Sequence, residues 1–165
     1  MEEITIKEKA SRIRMLILDV DGTLTDGGVY IDVNGVQSKK FNIRDGMGIT
    51  LLQDAGILVG MLSHSRAQGI LEERARMLKI KYVYSGKEPK HEVFLRWIQE
   101  LSLTESQIAY IGDDVNDLEI MARVGLSACP GDAHYEVIRV ADVVLQRKGG
   151  DGCVREFIDR YLLSR

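Results

Sequence analysis

Met15-Leu16-Ile17-Leu18-Asp19-Val20-Asp21-Gly22-Thr23 opens as an unbroken apolar run and closes on two acids and a glycine. A short run without polar alternation fits a strand covered on both faces, as in the interior of a parallel sheet. The acids and the glycine then mark the end of that strand and the turn beyond it.

Downstream, hydrophobic runs alternate with helix-period segments. Residues 29–32 and 36–41 flank Asn34-Gly35, a two-residue hairpin signal because both residues tolerate positive φ. Residues 45–55 read as a helix with Ile49, Leu51 and Leu52 on its apolar side and Gly56 as its stop. Further strands are expected at 57–62, 82–84, 108–111, 126–128 and 143–145. Helices are expected at 67–78, 90–101, 116–124, 135–140 and 152–163.

Repeated strand–helix units predict an α/β fold: a doubly wound, mostly parallel (Rossmann-like) sheet with helices on both faces. The irregular piece is a β-hairpin flap at residues 28–42, inserted after the first strand. No internal repeat or linker interrupts the 165 residues, so residues 1–165 are expected to form one domain. A glycine-rich tail and a last helix occupy residues 148–165.

Apolar residues make up 45 % of the chain and charged residues 28 %, a balance that fits a globular protein and argues against disorder. The formal charge of -3 gives no support to non-specific nucleic-acid binding. No apolar stretch approaches the ~20 residues of a membrane helix. Met1-Glu2-Glu3-Ile4-Thr5 is acidic where a secretory leader is basic. The expectation is a cytoplasmic protein with neither nucleic acid nor membrane as partner. Cys129 and Cys153 form no Cys-x-x-Cys pair and are expected to be reduced and buried.

The polar residues gather at strand ends. Asp19 and Asp21 close the first strand, Ser63 follows the next main strand, Lys90 comes after the third, and Asp113 and Asp114 follow the fourth. In a parallel sheet these loops share the edge where ligands bind. Several carboxylates at one spot repel unless a divalent cation neutralises them, and oxygen ligands without histidine or cysteine select magnesium over zinc. Each residue alone has a plainer reading: a turn with solvated acids, a helix N-cap at Asp114 or Asn116, a surface lysine. Their order and shared placement favour one site.

Asp19-Val20-Asp21-Gly22-Thr23, Ser63, Lys90 and Gly112-Asp113-Asp114-Val115-Asn116-Asp117 resemble the four motifs of the haloacid dehalogenase superfamily of phosphatases. The resemblance narrows further. Thr25-Asp26-Gly27-Gly28, Lys40-Phe41-Asn42-Ile43-Arg44-Asp45-Gly46, Val124-Gly125-Leu126-Ser127 and Gly149-Gly150-Asp151-Gly152-Cys153-Val154-Arg155-Glu156 look like 3-deoxy-D-manno-octulosonate 8-phosphate (KDO 8-phosphate) phosphatases, small capless members that form homotetramers.

That resemblance implies a mechanism. Asp19 would be the nucleophile and carry an aspartyl phosphate, while Asp21 would protonate the leaving alcohol and then activate water. Magnesium would be held by Asp19, Asp113 and the backbone carbonyl of Asp21, and Ser63 and Lys90 would hold the phosphoryl group. Asp114 and Asp117 would orient Lys90 or metal-bound water. About 36 residues separate Asp26 and Ser63, too few for a cap domain, so neighbouring subunits would close the site. Hairpins would then meet at the tetramer centre, and the tail would approach a neighbour's site; the plainer reading of the tail is a connector.

Substrate choice is where the chain departs from its relatives. They usually continue Gly-Arg after the serine, whereas this chain reads His64-Ser65-Arg66 and is one residue longer before Arg74. Ser63 and Ser65 are both candidates for the phosphoryl contact. If the extra residue lies in this loop, Arg66 and Arg74 fall where the phosphatases it resembles carry substrate-facing arginines, which suit a sugar-acid carboxylate; otherwise they belong to a solvated helix face. The alternative substrate is a related nine-carbon 2-keto-3-deoxy acid 9-phosphate. A receiver-like signalling domain lacks the second acid two residues after the first, and a non-catalytic assembly module would not need the full set of polar residues.

Overall fold

The computed structural model describes residues 5–164; Arg165 and Met1 to Ile4, most of the acidic start noted above, lie outside the described residues. In chain order the elements are α1 (Ile6–Arg12), β1 (Met15–Leu18), β2 (Tyr30–Ile31), β3 (Gln37–Ser38), α2 (Ile43–Asp54), β4 (Leu58–Ser63), α3 (Gln68–Met77) and β5 (Tyr82–Ser85). There follow α4 (Lys90–Glu100), β6 (Ile108–Ile111), α5 (Leu118–Met121), β7 (Leu126–Cys129), α6 (Tyr135–Val140), β8 (Val143–Val144) and α7 (Cys153–Phe157).

Six strands form one sheet in the order β5-β4-β1-β6-β7-β8, and every pairing in it is parallel. The chain winds outward from β1 to one edge, returns, and winds to the other. The order therefore reverses between β1 and β6, which opens a crevice beyond their carboxyl ends. The apolar run of β1 is explained by its neighbours. Leu16 and Leu18 pack with Ile49 and Leu52 of α2, Leu71 of α3 and Phe157 of α7. Met15 and Ile17 face the opposite layer, with Phe94 and Trp97 of α4, Ile120 of α5 and Val137 of α6. Both cysteines are free and buried.

Several local expectations are corrected. Thr5 and Glu8 form a reciprocal capping box, with the Thr5 amide donating to Glu8 Oε2 at 2.8 Å, and so start a helix, α1, that was not anticipated. Helix α2 begins at Ile43 because the Asn42 side chain accepts the Arg44 amide at 2.8 Å. The helix expected over 116–124 is a 3-10 turn at Val115–Asp117 followed by the single turn of α5, and Asp114 caps that 3-10 turn. After α7 the chain widens into a π turn at Ile158–Leu162.

The hairpin has a different turn. Tyr30 pairs with Ser38 and Ile31 with Gln37, which leaves Val33-Asn34-Gly35 as a three-residue loop. Of these three only Gly35 has positive φ, +78°. The Asp32 carboxylate accepts the amides of Asn34 at 2.9 Å and Val36 at 2.8 Å, so an aspartate organises this turn and Asn34 need not be left-handed. Hairpin and α2 fill most of the span between Asp26 and Ser63, and no cap domain stands there.

Candidate active site

Asp19 leaves β1 with its amide still bonded to the Ile111 carbonyl of β6 at 2.9 Å, so its side chain emerges at the reversal of strand order. The chain then turns sharply, and the Val20 carbonyl accepts the amides of Thr23, Leu24 and Thr25 at 3.2, 2.9 and 3.0 Å. Gly22 sits in this turn with φ +87°, against the Asp113 carboxylate. The turn rests on the tail. Gly150 donates to the Thr23 carbonyl at 3.0 Å, and a β-carbon on Gly149 would lie 1.8 Å from the Gly22 carbonyl oxygen. Within one chain, then, the glycine-rich tail supports its own Asp21 loop.

Lys90, the first residue of α4, is buried and donates to Asp19 Oδ1 at 2.5 Å and Asp117 Oδ1 at 2.7 Å. Asp117 is fully buried and is satisfied on all sides: it also accepts the Tyr110 hydroxyl at 2.6 Å and the amides of Asp113 and Asp114 at 3.0 and 3.2 Å. Gly112 makes room for it, since a β-carbon there would lie 2.5 Å from Asp117 Cγ. Asp117 thus holds Lys90 in place. Asp114 does not touch Lys90; its carboxylate bonds the Val115 amide at 2.7 Å and faces solvent.

Carboxylate oxygens of Asp19, Asp113 and Asp117 all lie within 4.8 Å of one another. Burial first, and then the charge of Asp117, push the Asp19 carboxyl well above the usual range despite Lys90. Burial also pushes Asp113 up to about 6. Burial works against the charge on Lys90, but Asp19 and Asp117 outweigh it and hold the ammonium above its ordinary value. Three carboxylates against one ammonium leave negative charge uncompensated. Asp113 Oδ1 is buried without a hydrogen-bond partner. An orphaned oxygen beside excess negative charge fits a divalent cation with hard oxygen ligands, and because Asp117 is fully engaged, Asp19 and Asp113 are the side chains available to it.

Ser63, buried at the end of β4, accepts the Ser65 amide at 2.9 Å. Asp21 makes the contact that the sequence did not foreshadow: Lys39, from the returning leg of the hairpin, donates to its Oδ1 at 2.6 Å and to Ser65 Oγ at 2.9 Å. Nothing in Ser38-Lys39-Lys40 distinguishes Lys39 from a solvated lysine. Arg66 is exposed and lines, with His64, Ser65, Gly86 and Lys87, a cavity of about 510 Å³. Arg74 lies elsewhere: it donates to the Asn42 carbonyl at 3.2 Å, and its guanidinium stands 5.2 Å from the centre of the Phe41 ring. From α3 it braces the foot of the hairpin, where the chain enters α2.

The sequence pattern of haloacid dehalogenase-like hydrolases matches residues 75–157, a span that contains Lys90, Asp113 and Asp117. The 3-deoxy-D-manno-octulosonate 8-phosphate phosphatase KdsC of Escherichia coli K12 is 41 % identical over 157 residues, 95 % of this chain and 83 % of that protein. The crystal structure of the phosphatase of that name from Yersinia pestis superposes with a TM-score of 0.92 at 41 % identity, covering 96 % of this chain and 85 % of the other. The corresponding enzyme from Moraxella catarrhalis, solved with magnesium, phosphate and KDO, superposes with a TM-score of 0.92 at 29 % identity, over 97 % and 91 % of the two chains. With identity of this order along nearly its whole length, the chain belongs to the haloacid dehalogenase-like hydrolases.

Proposed function

We propose that the protein hydrolyses 3-deoxy-D-manno-octulosonate 8-phosphate to KDO and inorganic phosphate. The observation that carries this reading is the 41 % identity, over 95 % of the chain, with an enzyme named for that substrate. The cluster at the crevice supplies a matching chemistry. Asp19 attacks phosphorus in line; its new bond to phosphorus forms as the bond to the sugar's C8 oxygen breaks. Asp21 gives its proton to the departing oxygen, then takes one from the water that hydrolyses the aspartyl phosphate. Lys90, fixed by Asp117, holds a phosphoryl oxygen as a point charge, and Ser63 donates a hydrogen bond to another. Asp19, Asp113 and the Asp21 carbonyl would hold magnesium, which would supply positive charge to offset that on the phosphoryl oxygens.

Arg66 suits the sugar-acid carboxylate, because it lines the open cavity beside the Ser63–Ser65 loop. Residues 1–165 act as one domain, and that domain works as a homotetramer in the cytoplasm. The hairpin supports assembly, since Tyr30, Ile31, Val33 and Val36 are exposed apolar residues on a ribbon too short to be stable alone. Among the described residues no helix is long and apolar enough to cross a membrane.

Magnesium-dependent phosphate release across a panel of sugar phosphates tests the reading, with Asp19→Asn as control and sedimentation for the assembly. KDO 8-phosphate should be the fastest ester and Asp19→Asn inert. A faster nine-carbon 9-phosphate would replace the substrate, and release from no sugar-acid ester would remove the assignment. Full activity in Asp19→Asn would remove the mechanism, and a monomer would remove the tetramer.

A further inference from the structure

We propose that Lys39 is a positioning residue of this reaction, through which the hairpin completes the active site of its own chain. The inference rests on the phosphatase reading above. The Lys39 side chain is only 4 % exposed, although it belongs to a ribbon whose other residues stand largely in solvent. Its ammonium bridges two loops of the sheet edge, Asp21 Oδ1 after β1 and Ser65 Oγ after β4. Ser65 is itself tied in: its amide donates to Ser63 Oγ at 2.9 Å, and its carbonyl accepts the Ser85 hydroxyl at 2.6 Å.

A carboxyl group hung on a turn can rotate about two bonds. Holding Oδ1 at 2.6 Å restrains that rotation and leaves Oδ2 as the oxygen available to a leaving group. Lys39 touches neither Asp19 nor Lys90 among the hydrogen bonds and ion pairs of the described residues, so its influence on the chemistry runs through Asp21. The neighbouring Lys40 provides the contrast: it lies in solvent, 3.7 Å from Asp26, and meets nothing in the site.

The test exploits the leaving group. A sugar alkoxide needs a proton to depart, whereas p-nitrophenolate does not, so a residue that aims the acid matters for the first ester and little for the second. Lys39→Met should lower kcat/KM on KDO 8-phosphate by about 100-fold and on p-nitrophenyl phosphate by less than about fivefold. Lys39→Arg should recover part of the loss, and Lys40→Met should match wild type on both esters. Ser65→Ala, which removes one of the two acceptors, should show a smaller loss with the same selectivity, and it serves if Lys39→Met does not fold. An equal loss on both esters, or wild-type rates on the sugar ester in Lys39→Met, overturns the role of Lys39. If wild-type protein does not hydrolyse KDO 8-phosphate, the substrate reading falls instead, and Lys39 is then judged on whichever alkyl phosphate the enzyme does hydrolyse.

Discussion

A β-carbon on Gly22 would lie 1.9 Å from Asp113 Oδ2, so the turn after β1 and the turn after β6 are in contact at a point where no side chain fits. Gly22→Ala must therefore displace Asp113 and also hold alanine at φ +87°, a conformation that costs roughly 1–2 kcal/mol. Activity should fall by about 100-fold or more, as expected when a reacting group shifts by about 1 Å. Steady-state kinetics and thermal melts on the same preparation separate that loss from unfolding.

Asp113 has a buried oxygen without a partner beside Asp19, which makes it the natural place to separate metal response from fold. Asp113→Asn removes one of three crowded carboxylates, so the metal-free variant should be at least as stable as metal-free wild type. Magnesium at a hundred times its Kd should stabilise wild type by about 2.7 kcal/mol and the variant hardly at all. Melting curves with magnesium and with EDTA measure both quantities, and phosphate release should be lost with EDTA.

Asp45, buried at the start of α2, accepts the Arg155 amide at 2.8 Å while its other oxygen has no partner. Burial, outweighing the hydrogen bonds from Arg155, Gly152 and Val154, pushes its carboxyl up to about 6 from 3.8. A raised folded-state pKa means that the folded protein holds this proton between pH 4 and 6 while the unfolded chain has released it. Ionised Asp45 thus destabilises the fold above pH 6, and the penalty is relieved as pH falls through that window, by about 3 kcal/mol in all. In urea titrations, stability relative to Asp45→Asn should shift by most of that amount, about 2.4 kcal/mol, in favour of wild type between pH 7 and pH 4. Parallel curves would show that Asp45 ionises normally.

The two arginines should part company. Arg66→Ala removes a guanidinium from the open cavity and should raise KM for a sugar-acid phosphate about tenfold with kcat nearly unchanged. Arg74→Ala removes the Phe41 contact and the bond to the Asn42 carbonyl, and should lower stability by about 1–2 kcal/mol with KM unmoved. Kinetics and denaturation on both variants test the division.

What could be read from the chain alone follows the strength of local constraint. The all-apolar β1 and the order of polar strand ends prescribe a two-faced parallel sheet and bring Asp19, Lys90 and Asp113 together, while Asp117 is indicated only by the resemblance of its motif. Asp19 and Asp113 follow directly on strands and Lys90 opens the helix after one, and those elements have strong periodic signals. Lys39 and Arg74 depend on where the hairpin leans, which is a tertiary matter that a Ser-Lys-Lys stretch cannot encode locally. The length of the hairpin turn escapes the local sequence for a related reason. Asn34-Gly35 carries the usual two-residue preference, but the Asp32 carboxylate two residues upstream decides the loop. Helix α1 was legible in Thr5 and Glu8 as a capping box, on a segment too short for hydrophobic periodicity to draw attention to it.

The backbone of Gly149 and Gly150 forms the floor under the loop that carries Asp21. A chain emerging from the ribosome has translated every carboxylate and lysine of the site well before this floor exists. Nascent chains released before residue 149 should carry the whole catalytic inventory and no phosphatase activity.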